Sequence, residues 1–357
     1  MPVAGLVRLR KHQFSRQQAH GTKVAATRAY PFSGVPSVER NWTDPEIDSG
    51  SIDPTAAPFL GPGDFGADLA FNALAYNDVP IMLSGFFGDA VEPVTTGTSE
   101  AWTYAPASTT VDPLDEFSYE FGDDVLTDWF QLGDGVVESF EVTGPEGLGP
   151  LTASVNWRFG SASSTGSTDF PVDGAVPTPG LSVDIAPTFV YLKDGAIYIA
   201  DTEAGLAAGQ VSDALHSFTL RCSQELDLKR WANGAQTYDV DAYALASRAI
   251  EVECTFAKTA DTVGVGSESD DWFSEQAVDR YIRFTFTSLV DADAGTPYSW
   301  TFSLPMRYYT RTDGEIGGNT VVILTGHAFY DPGAFSGVFK STVVNTIDEA
   351  DLGEAGS

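Results

Sequence analysis

The chain has 357 residues, enough for about two domains of ordinary size. Fifty acidic and nineteen basic residues give a net charge of −31, while hydrophobic residues make up 43% of the sequence and aromatic residues 12%. Because phosphate backbones are bound by clustered Lys and Arg, this charge excludes DNA binding through the average surface and disfavours binding to anionic membranes. The apolar content suffices for large cores, so the composition also excludes a disordered polyanion.

The choice of charged residues is uneven. Asp outnumbers Glu by 32 to 18, and the bases are six Lys and thirteen Arg. A surface rich in Asp and poor in Lys stays soluble in concentrated salt, where charge repulsion is screened within about 3 Å at 1 M. This composition indicates a halophilic protein. A genome of high GC content is the alternative explanation, because it also replaces Lys by Arg and enriches Asp.

The charge is also unevenly placed along the chain. Residues 1–38 contain no acidic residue but six bases, so residues 39–357 carry a net charge of −37. We expect a basic, extended N-terminal arm over residues 1–33. No apolar run is long enough for a secretory signal or a membrane helix, which predicts a soluble protein that is not exported.

Period-two alternation of apolar and polar residues dominates the chain and predicts an all-β, antiparallel fold with a few short helices. In the first half the predicted elements are, in chain order, a helix over 64–77, a turn at 133–135, a strand over 151–159 and a Ser/Gly/Pro-rich loop over 160–180. In the second half they are a turn at 193–195, a strand over 216–222, a long excursion over 224–244, a strand over 250–256, a second helix over 267–279, strands over 280–288 and 298–304, a turn at 312–314, and a strand over 320–330.

The order of these signals recurs loosely in the two halves. Ser139–Val142 precedes the strand over 151–159, and the similar segment Ser217–Leu220 precedes the strand over 250–256. A duplication explains this recurrence, although matches this short also arise by chance. We therefore expect two tandem β domains, and the predicted domain ranges are 34–180 and 181–346, followed by an acidic tail over 347–357.

Residue patterns typical of catalysis are missing. The sequence contains no nucleophile elbow, zinc helix, Walker loop or dinucleotide fingerprint, and its two cysteines predict buried free thiols, with a core disulfide as the minority alternative. Pairs such as Asp115 and Glu116 have little weight among fifty acids. Asp291–Gly295 begins like a calcium loop but lacks the closing Glu, so a turn between strands is favoured. We expect no catalytic residue, cofactor or metal.

Several segments, in this order, resemble the major tail tube proteins of long-tailed (siphovirus-like) phages and haloarchaeal tailed viruses. They are Gly21–Ala25, Pro31–Val38, Asn41–Pro45, Gly50–Pro54, a helix over Leu69–Gly88 ending in Phe86-Phe87-Gly88, a strand over Trp102–Tyr104, Phe117–Glu120, Gly135–Phe140, Leu151–Arg158, Val211–Leu226, Arg248–Ala257 and Tyr298–Pro305. The resemblance covers most of the chain, but no single motif is diagnostic.

The resemblance implies β-sandwich or partly closed barrel domains that assemble into stacked rings, forming the hollow tail tube of a virion. It implies self-association, contacts with a tape measure protein, a tail terminator and distal tail proteins, and DNA that passes through the lumen during ejection without specific binding. The chain is about twice one tube domain in length, so a trimeric ring with pseudo-sixfold symmetry is expected. Synthesis would take place in the host cytoplasm and function in the virion.

Two charge features acquire roles in such a tube. An acidic lumen repels phosphate, so we expect acidic residues to face it. The basic residues Arg8, Arg10, Lys11 and Arg16 are the candidates for contact with the acidic face of the adjacent ring, the alternative being a solvated tail. The competing functions are a viral capsid or decoration protein and a carbohydrate-binding β module. For the latter, Trp102, Trp129, Trp231 and Trp272 are candidate sugar platforms, although core packing is favoured for them.

Overall fold

A computed structural model describes residues 10–43, 59–88, 91–106, 114–123, 128–147, 149–164, 181–211, 214–230, 240–258 and 279–352. The strands are β1 (Arg10–Arg16), β2 (Arg28–Tyr30), β3 (Ser33–Thr43), β4 (Phe59–Phe71), β5 (Val91–Thr96), β6 (Ser99–Tyr104), β7 (Phe117–Asp123), β8 (Asp128–Gly144), β9 (Thr152–Phe159), β10 (Ser161–Ser164), β11 (Gly195–Ala200), β12 (Gln210–Val211), β13 (Leu215–Lys229), β14 (Ala242–Ala257), β15 (Arg280–Asp293), β16 (Thr296–Ile316), β17 (Asn319–Ala328) and β18 (Lys340–Asn345). The helices are α1 (Val79–Phe87) and α2 (Glu349–Leu352), and short 3-10 turns span Tyr76–Asp78, Leu192–Asp194 and Ala204–Ala207.

The predicted all-β, antiparallel character is confirmed in the described part of the chain. All six predicted strands coincide with observed ones: β9, β13, β14, β15, β16 and β17. In β9 the burial alternates residue by residue, with Val155 and Trp157 inside and Ser154 exposed. The period-two signal is reliable because side chains of a strand point alternately to the two faces of its sheet.

Eight strands form one continuous sheet, here called the central sheet. Its order is β3-β4-β9-β8-β13-β14-β17-β16, and every neighbouring pair is antiparallel. One face carries buried apolar side chains such as Val155, Leu220 and Val252, while the other carries polar ones. We call the second the polar face.

Two further sheets extend from the central one through long, shared strands. The first half of β8 pairs with β7 and β10, and β7 also pairs with β1, which pairs with β2. The first half of β16 pairs with β15 and β18, and β15 also pairs with β11, which pairs with β12. The hairpin β5–β6 joins this second group through the pairing of β6 with β18.

Two predicted turns lie within these long strands, so both predictions are wrong. Residues 133–135 bend β8 between its two sheets, with Asp134 in the left-handed region at φ 56° between two glycines. Residues 312–314 continue β16, and the chain reverses instead at Gly317 and Gly318, whose φ angles of 56° and 85° favour glycine.

A single hydrophobic cluster includes residues from both halves of the chain. Phe87 of α1 stacks on Phe339 at a ring separation of 4.7 Å, and it lies edge-on to Phe140 at 6.4 Å. Phe339 in turn stacks on Phe302 at 6.1 Å. Both cysteines, Cys222 and Cys254, are buried free thiols in this cluster, as predicted, and burial raises the pKa of each.

The predicted helix over 64–77 is wrong. Phe65, Ala67 and Leu69 are buried alternately with more exposed residues, and residues 64–71 belong to β4 between β3 and β9, while residues 76 and 77 lie in the 3-10 turn Tyr76–Asp78. The helix lies later, at Val79–Phe87, with Pro80 in its first turn and Gly88 after its last residue. All nine of its residues are buried, so it has no amphipathic stripe for a sequence pattern to show. The second predicted helix, 267–279, lies outside the described residues except at its end.

The halves of the chain are hydrogen-bonded to each other by β8 with β13 and β6 with β18. Ser139–Val142 and Ser217–Leu220, which the sequence suggests as equivalents, lie on these adjacent strands, with Val142 opposite Leu220. The division into two tandem domains stays a prediction. Residues 165–180 of the predicted loop and 231–239 of the predicted excursion lie outside the described part, while residues 161–164, 224–229 and 242–244 of these segments belong to strands.

The two ends differ from the expected arm and tail. Arg10–Arg16 pairs along its whole length with β7, so this stretch is part of the folded body and not an extended arm. At the other end, Ile347 and Leu352 are buried. The Trp102 side chain donates to the Ile347 carbonyl at 3.0 Å, which attaches the expected tail to the first half.

Candidate functional site

A charged network crosses the polar face where the two halves of the chain meet. Arg221 on β13 lies opposite Glu141 on β8. The Arg221 guanidinium donates to Glu141 at 2.9 Å and to Glu251 on β14 at 2.9 Å, with Glu253 at 3.6 Å. One cation therefore bridges three strands and neutralises part of a cluster of three carboxylates.

Partial burial opposes the charge of both Arg221 and Glu251, but their mutual hydrogen bonding outweighs it. The bonds from Tyr309 and Arg221 lower the pKa of Glu251, and those to Glu251 and Glu141 raise the pKa of Arg221. Tyr309 on β16 donates to Glu251 at 2.7 Å and stacks on the ring of His327 at 4.3 Å. The network thus extends over β8, β13, β14, β17 and β16.

The first half of the chain carries a smaller network on the same face. Arg158 on β9 contacts Asp64 at 2.5 Å and Glu138 at 3.9 Å. Between the two networks lies an open groove of about 500 Å³, lined by side chains that include Asp68, Asn156 and Ser223. Its lining combines polar side chains with apolar ones such as Leu69 and Val155, and the described residues there place no nucleophile beside a base, so they offer no catalytic arrangement.

Acidic residues outnumber basic ones on the polar face. By strand alternation the described acids on this face are Glu39, Asp64, Asp68, Glu138, Glu141, Glu225, Asp227, Glu251 and Glu253, and the described bases are Arg158, Arg221, Lys229 and Arg307. The face is therefore negative overall, which repels a phosphate backbone.

The described basic residues among those proposed for contact between rings lie in a strand of the folded body and not in an extended arm. Arg8 lies outside the described residues. Arg10, Lys11 and Arg16 lie on β1; the Arg10 guanidinium is 5.8 Å from the Phe121 ring centroid, and Arg16 forms an ion pair with Asp115 at 2.7 Å. Arg16 is thus held within its own chain, while the role of the four residues between rings stays a prediction.

A second polar cluster follows β1. His20 Nδ1 lies 2.8 Å from a Glu116 oxygen and Nε2 lies 2.8 Å from the Val240 carbonyl oxygen. Asp134, buried nearby, accepts from the Gly21 amide at 2.7 Å. The hydrogen bond to Glu116 is the main cause that raises the pKa of His20 to about 9. The protonated ring therefore donates from both nitrogens and joins the N-terminal segment to Glu116, just before β7, and to Val240, just before β14.

His20, Glu116 and Asp134 also bring three metal-ligating atoms within 4.8 Å of one another. The doubly protonated imidazole already supplies the positive charge that these carboxylates need, so the arrangement is satisfied without an ion. The sequence shows no sign of this cluster because His20 lies 96 positions before Glu116 and meets it only through the fold, while Asp134 lies at the bend in β8.

Other candidates from the sequence are now placed. Trp102 and Trp129 are buried, as favoured, while Trp231 and Trp272 lie outside the described residues. The predicted turn between β15 and β16 lies at Ala294 and Gly295, directly after the end of β15, and the Gly295 amide donates to the Asp291 carboxylate. Sequence reasoning did not single out Arg221, Glu251 or Tyr309, although their outward parity in strands was available as a signal.

None of the described helices is long and apolar enough to cross a membrane. Comparison with known protein families finds no family model that matches the sequence, and comparison with curated proteins finds no significant match.

Proposed function

We propose that the protein is a structural virion protein, the major tail tube protein of a long-tailed phage or haloarchaeal tailed virus. It polymerises into stacked rings that form the conduit for DNA from the capsid to the host. The proposal rests on the resemblance described above and on one structural observation: the central sheet of eight strands has one face on the core and one acidic, water-exposed face.

The polar face suits the wall of such a conduit. A tube that delivers DNA has to contain the polymer without binding it, and a wall with excess carboxylates repels phosphate at short range. The guanidinium groups of Arg221 and Arg158 are bonded to carboxylates of this face, so its described residues present no cluster of free guanidinium groups to a phosphate backbone. The acidic residues of the polar face are thus the proposed lumen residues.

Three copies form the proposed ring, with pseudo-sixfold symmetry from the two halves of each chain. Rings then stack, and the N-terminal residues Arg8, Arg10, Lys11 and Arg16 are proposed to face the adjacent ring, with Arg16 acting as part of a neutralised pair. The remaining partners are the tape measure protein, the tail terminator and distal tail proteins, all within the virion. No catalytic residue, cofactor or metal is required.

Electron microscopy of the purified full chain, with salt varied from low to molar, tests the proposal. The expected result is hollow tubes or stacked rings, more abundant at high salt because screening weakens repulsion between acidic copies. Closed shells would favour the capsid or decoration alternative. Particles that remain unassembled at every salt concentration would contradict a tube protein and reopen the carbohydrate-binding alternative.

A further inference from the structure

The strand pairings of the molecule repeat in order. Seven pairings among β1, β2, β3, β4, β7, β8, β9 and β10 recur among β11 to β18. The pairs are β1–β2 with β11–β12, β1–β7 with β11–β15, β7–β8 with β15–β16, β8–β10 with β16–β18, β8–β9 with β16–β17, β4–β9 with β14–β17, and β3–β4 with β13–β14. Chance does not reproduce seven pairings in chain order, so the two halves share one topology.

The irregularities of the strands repeat as well. The register shift between β8 and β9 lies at Val137/Ser139, and the shift between β16 and β17 lies at Tyr308/Thr310. Glu138 and Tyr309 are therefore the extra residues at equivalent bulges. Because bulges fix the register of a strand pair, they align β8 with β16 residue by residue, so that Ser139 corresponds to Thr310.

A row of paired residues that crosses four strands extends this alignment from β8 and β16 to β3 and β13. Gly34, Leu69, Val155 and Phe140 lie side by side on β3, β4, β9 and β8. The corresponding row on β13, β14, β17 and β16 is Phe218, Cys254, Leu324 and Arg311. Thus Gly34 corresponds to Phe218 and Phe140 to Arg311.

One pairing within the central sheet joins the two halves and has no counterpart among the described strand pairings. It is the pairing of β8 with β13, from Ser139 opposite Ser223 to Gly144 opposite Phe218. The equivalents of these strands are β16 and β3, which are the two outer strands of the central sheet. The repeat therefore predicts a pairing of β16 with β3, and these two strands lie at opposite edges of the central sheet in one chain.

We propose that β16 of one copy pairs with β3 of a second copy in the register of the internal β8–β13 junction. Residues 310–315 then lie antiparallel to residues 39–34, with Arg311 opposite Val38 and Thr312 opposite Ser37. This inference rests on the proposed ring and specifies which strands join and how. Because the junction repeats the internal one, successive copies continue the same sheet.

The two edges suit this partner. Val35 is 55% exposed on β3 and Tyr309 is 49% exposed on β16, so each edge presents a large apolar side chain to water. Long exposed edge strands associate unless they are protected by charged side chains. The charged residues Arg311, Asp313 and Glu315 of β16 would lie opposite Val38, Pro36 and Gly34 in this register, so no like charges face each other across the junction. Pro36 lacks an N–H group, so β3 has one backbone donor fewer for its neighbouring strands. The hydrogen bonds of the other residue pairs can still form.

Paired cysteine substitutions test the register in the full chain. Thr312→Cys with Ser37→Cys places the two Cα atoms directly opposite, about 4.5–5.5 Å apart, within the range of a disulfide. Thr312→Cys with Glu39→Cys is the matched control, because that diagonal pair lies about 7–8 Å apart. The native thiols are buried and do not compete. Mild oxidation of assembled protein with copper phenanthroline should yield covalent dimers and trimers for the first pair only.

The outcomes separate the two proposals. Tubes in which the control pair cross-links instead, or in which neither pair does, overturn this junction while leaving the tube function standing. The absence of any assembly overturns both. Should a cysteine variant misfold, hydrogen exchange of the wild-type protein decides the matter. Amides of residues 34–39 and 310–315 are expected to gain protection on assembly, and unchanged protection there would contradict the junction.

Discussion

His20 gives the protein a pH-dependent stability that can be isolated with one substitution. Its folded pKa of about 9 lies above the ordinary value of 6.5, chiefly because of the hydrogen bond to Glu116. A raised pKa means that the folded state holds the proton more tightly than the unfolded state. The resulting stabilisation is complete below about pH 6.5 and is lost as the pH rises through 9.

The magnitude follows from the shift and from the exposure of the ring. Each tenfold change in proton affinity is worth about 1.4 kcal/mol, so the full shift is equivalent to about 3 kcal/mol. The side chain is 31% exposed, and solvent screening reduces the contribution to roughly 1 kcal/mol. Most of that contribution should disappear between pH 7 and pH 9.

Urea unfolding of the wild type and of His20→Gln, measured at pH 7 and pH 9, tests this reasoning. The free energy of unfolding of the wild type should exceed that of the variant at pH 7, and the difference should shrink by roughly 1 kcal/mol at pH 9. Buried tyrosines and cysteines with raised pKa values also titrate at alkaline pH, but they are present in both proteins and cancel. If the difference in unfolding free energy between the two proteins stays constant or grows with pH, His20 is not a protonated, stabilising hydrogen-bond donor in the folded state and the reasoning is refuted.

Three further predictions concern packing and assembly. Leu220→Ala removes a fully buried side chain at the junction of the halves and should lower the free energy of unfolding by about 2–5 kcal/mol, whereas Thr219→Ala on the polar face should change it by less than about 0.5; thermal or urea unfolding measures both. Gly34→Ala would place a methyl group 2.2 Å from the Asp68 carbonyl oxygen, so we expect this substitution to displace β3. Sedimentation should then detect no assemblies, while near-ultraviolet circular dichroism should show that the protein is still folded. Ser33→Ala is the control. Sedimentation of the wild type should show more assembly at 1 M salt than at 0.1 M, and the opposite trend would contradict screening of acidic copies as the cause.

Most of the fold could be predicted because it depends on alternation, which sequence shows directly. Strands such as β9 and β14 have one wet face and one buried face, and their residues report both. The helix was misplaced because Val79–Phe87 is buried all round, whereas the 64–77 segment imitates a stripe at helical spacing. Glycine and aspartate at 133–135 predict a turn, but the same residues also allow the bend of a strand shared by two sheets.

The candidate site was less accessible to sequence reasoning. The excess of acid predicts an acidic wall but does not say which carboxylates share a face, because Glu141, Arg221 and Glu251 meet only through pairings between distant strands. The equivalences between halves were also hidden. Short matches align β8 with β13, which are neighbours, while the pairing pattern aligns β13 with β3. The pairing pattern compares how each strand is connected to the other strands, whereas a four-residue match compares only a short stretch of sequence.

A cryo-electron microscopy reconstruction of the assembled protein tests the central claim most directly. The account predicts a ring of three chains with pseudo-sixfold symmetry and an inner wall of about twenty-four strands, eight from each chain, with Glu141 and Glu251 facing the lumen and β16 joined to β3 of the next copy. A ring whose lumen is lined by another face of the chain, or an assembly with no continuous sheet between copies, would contradict it.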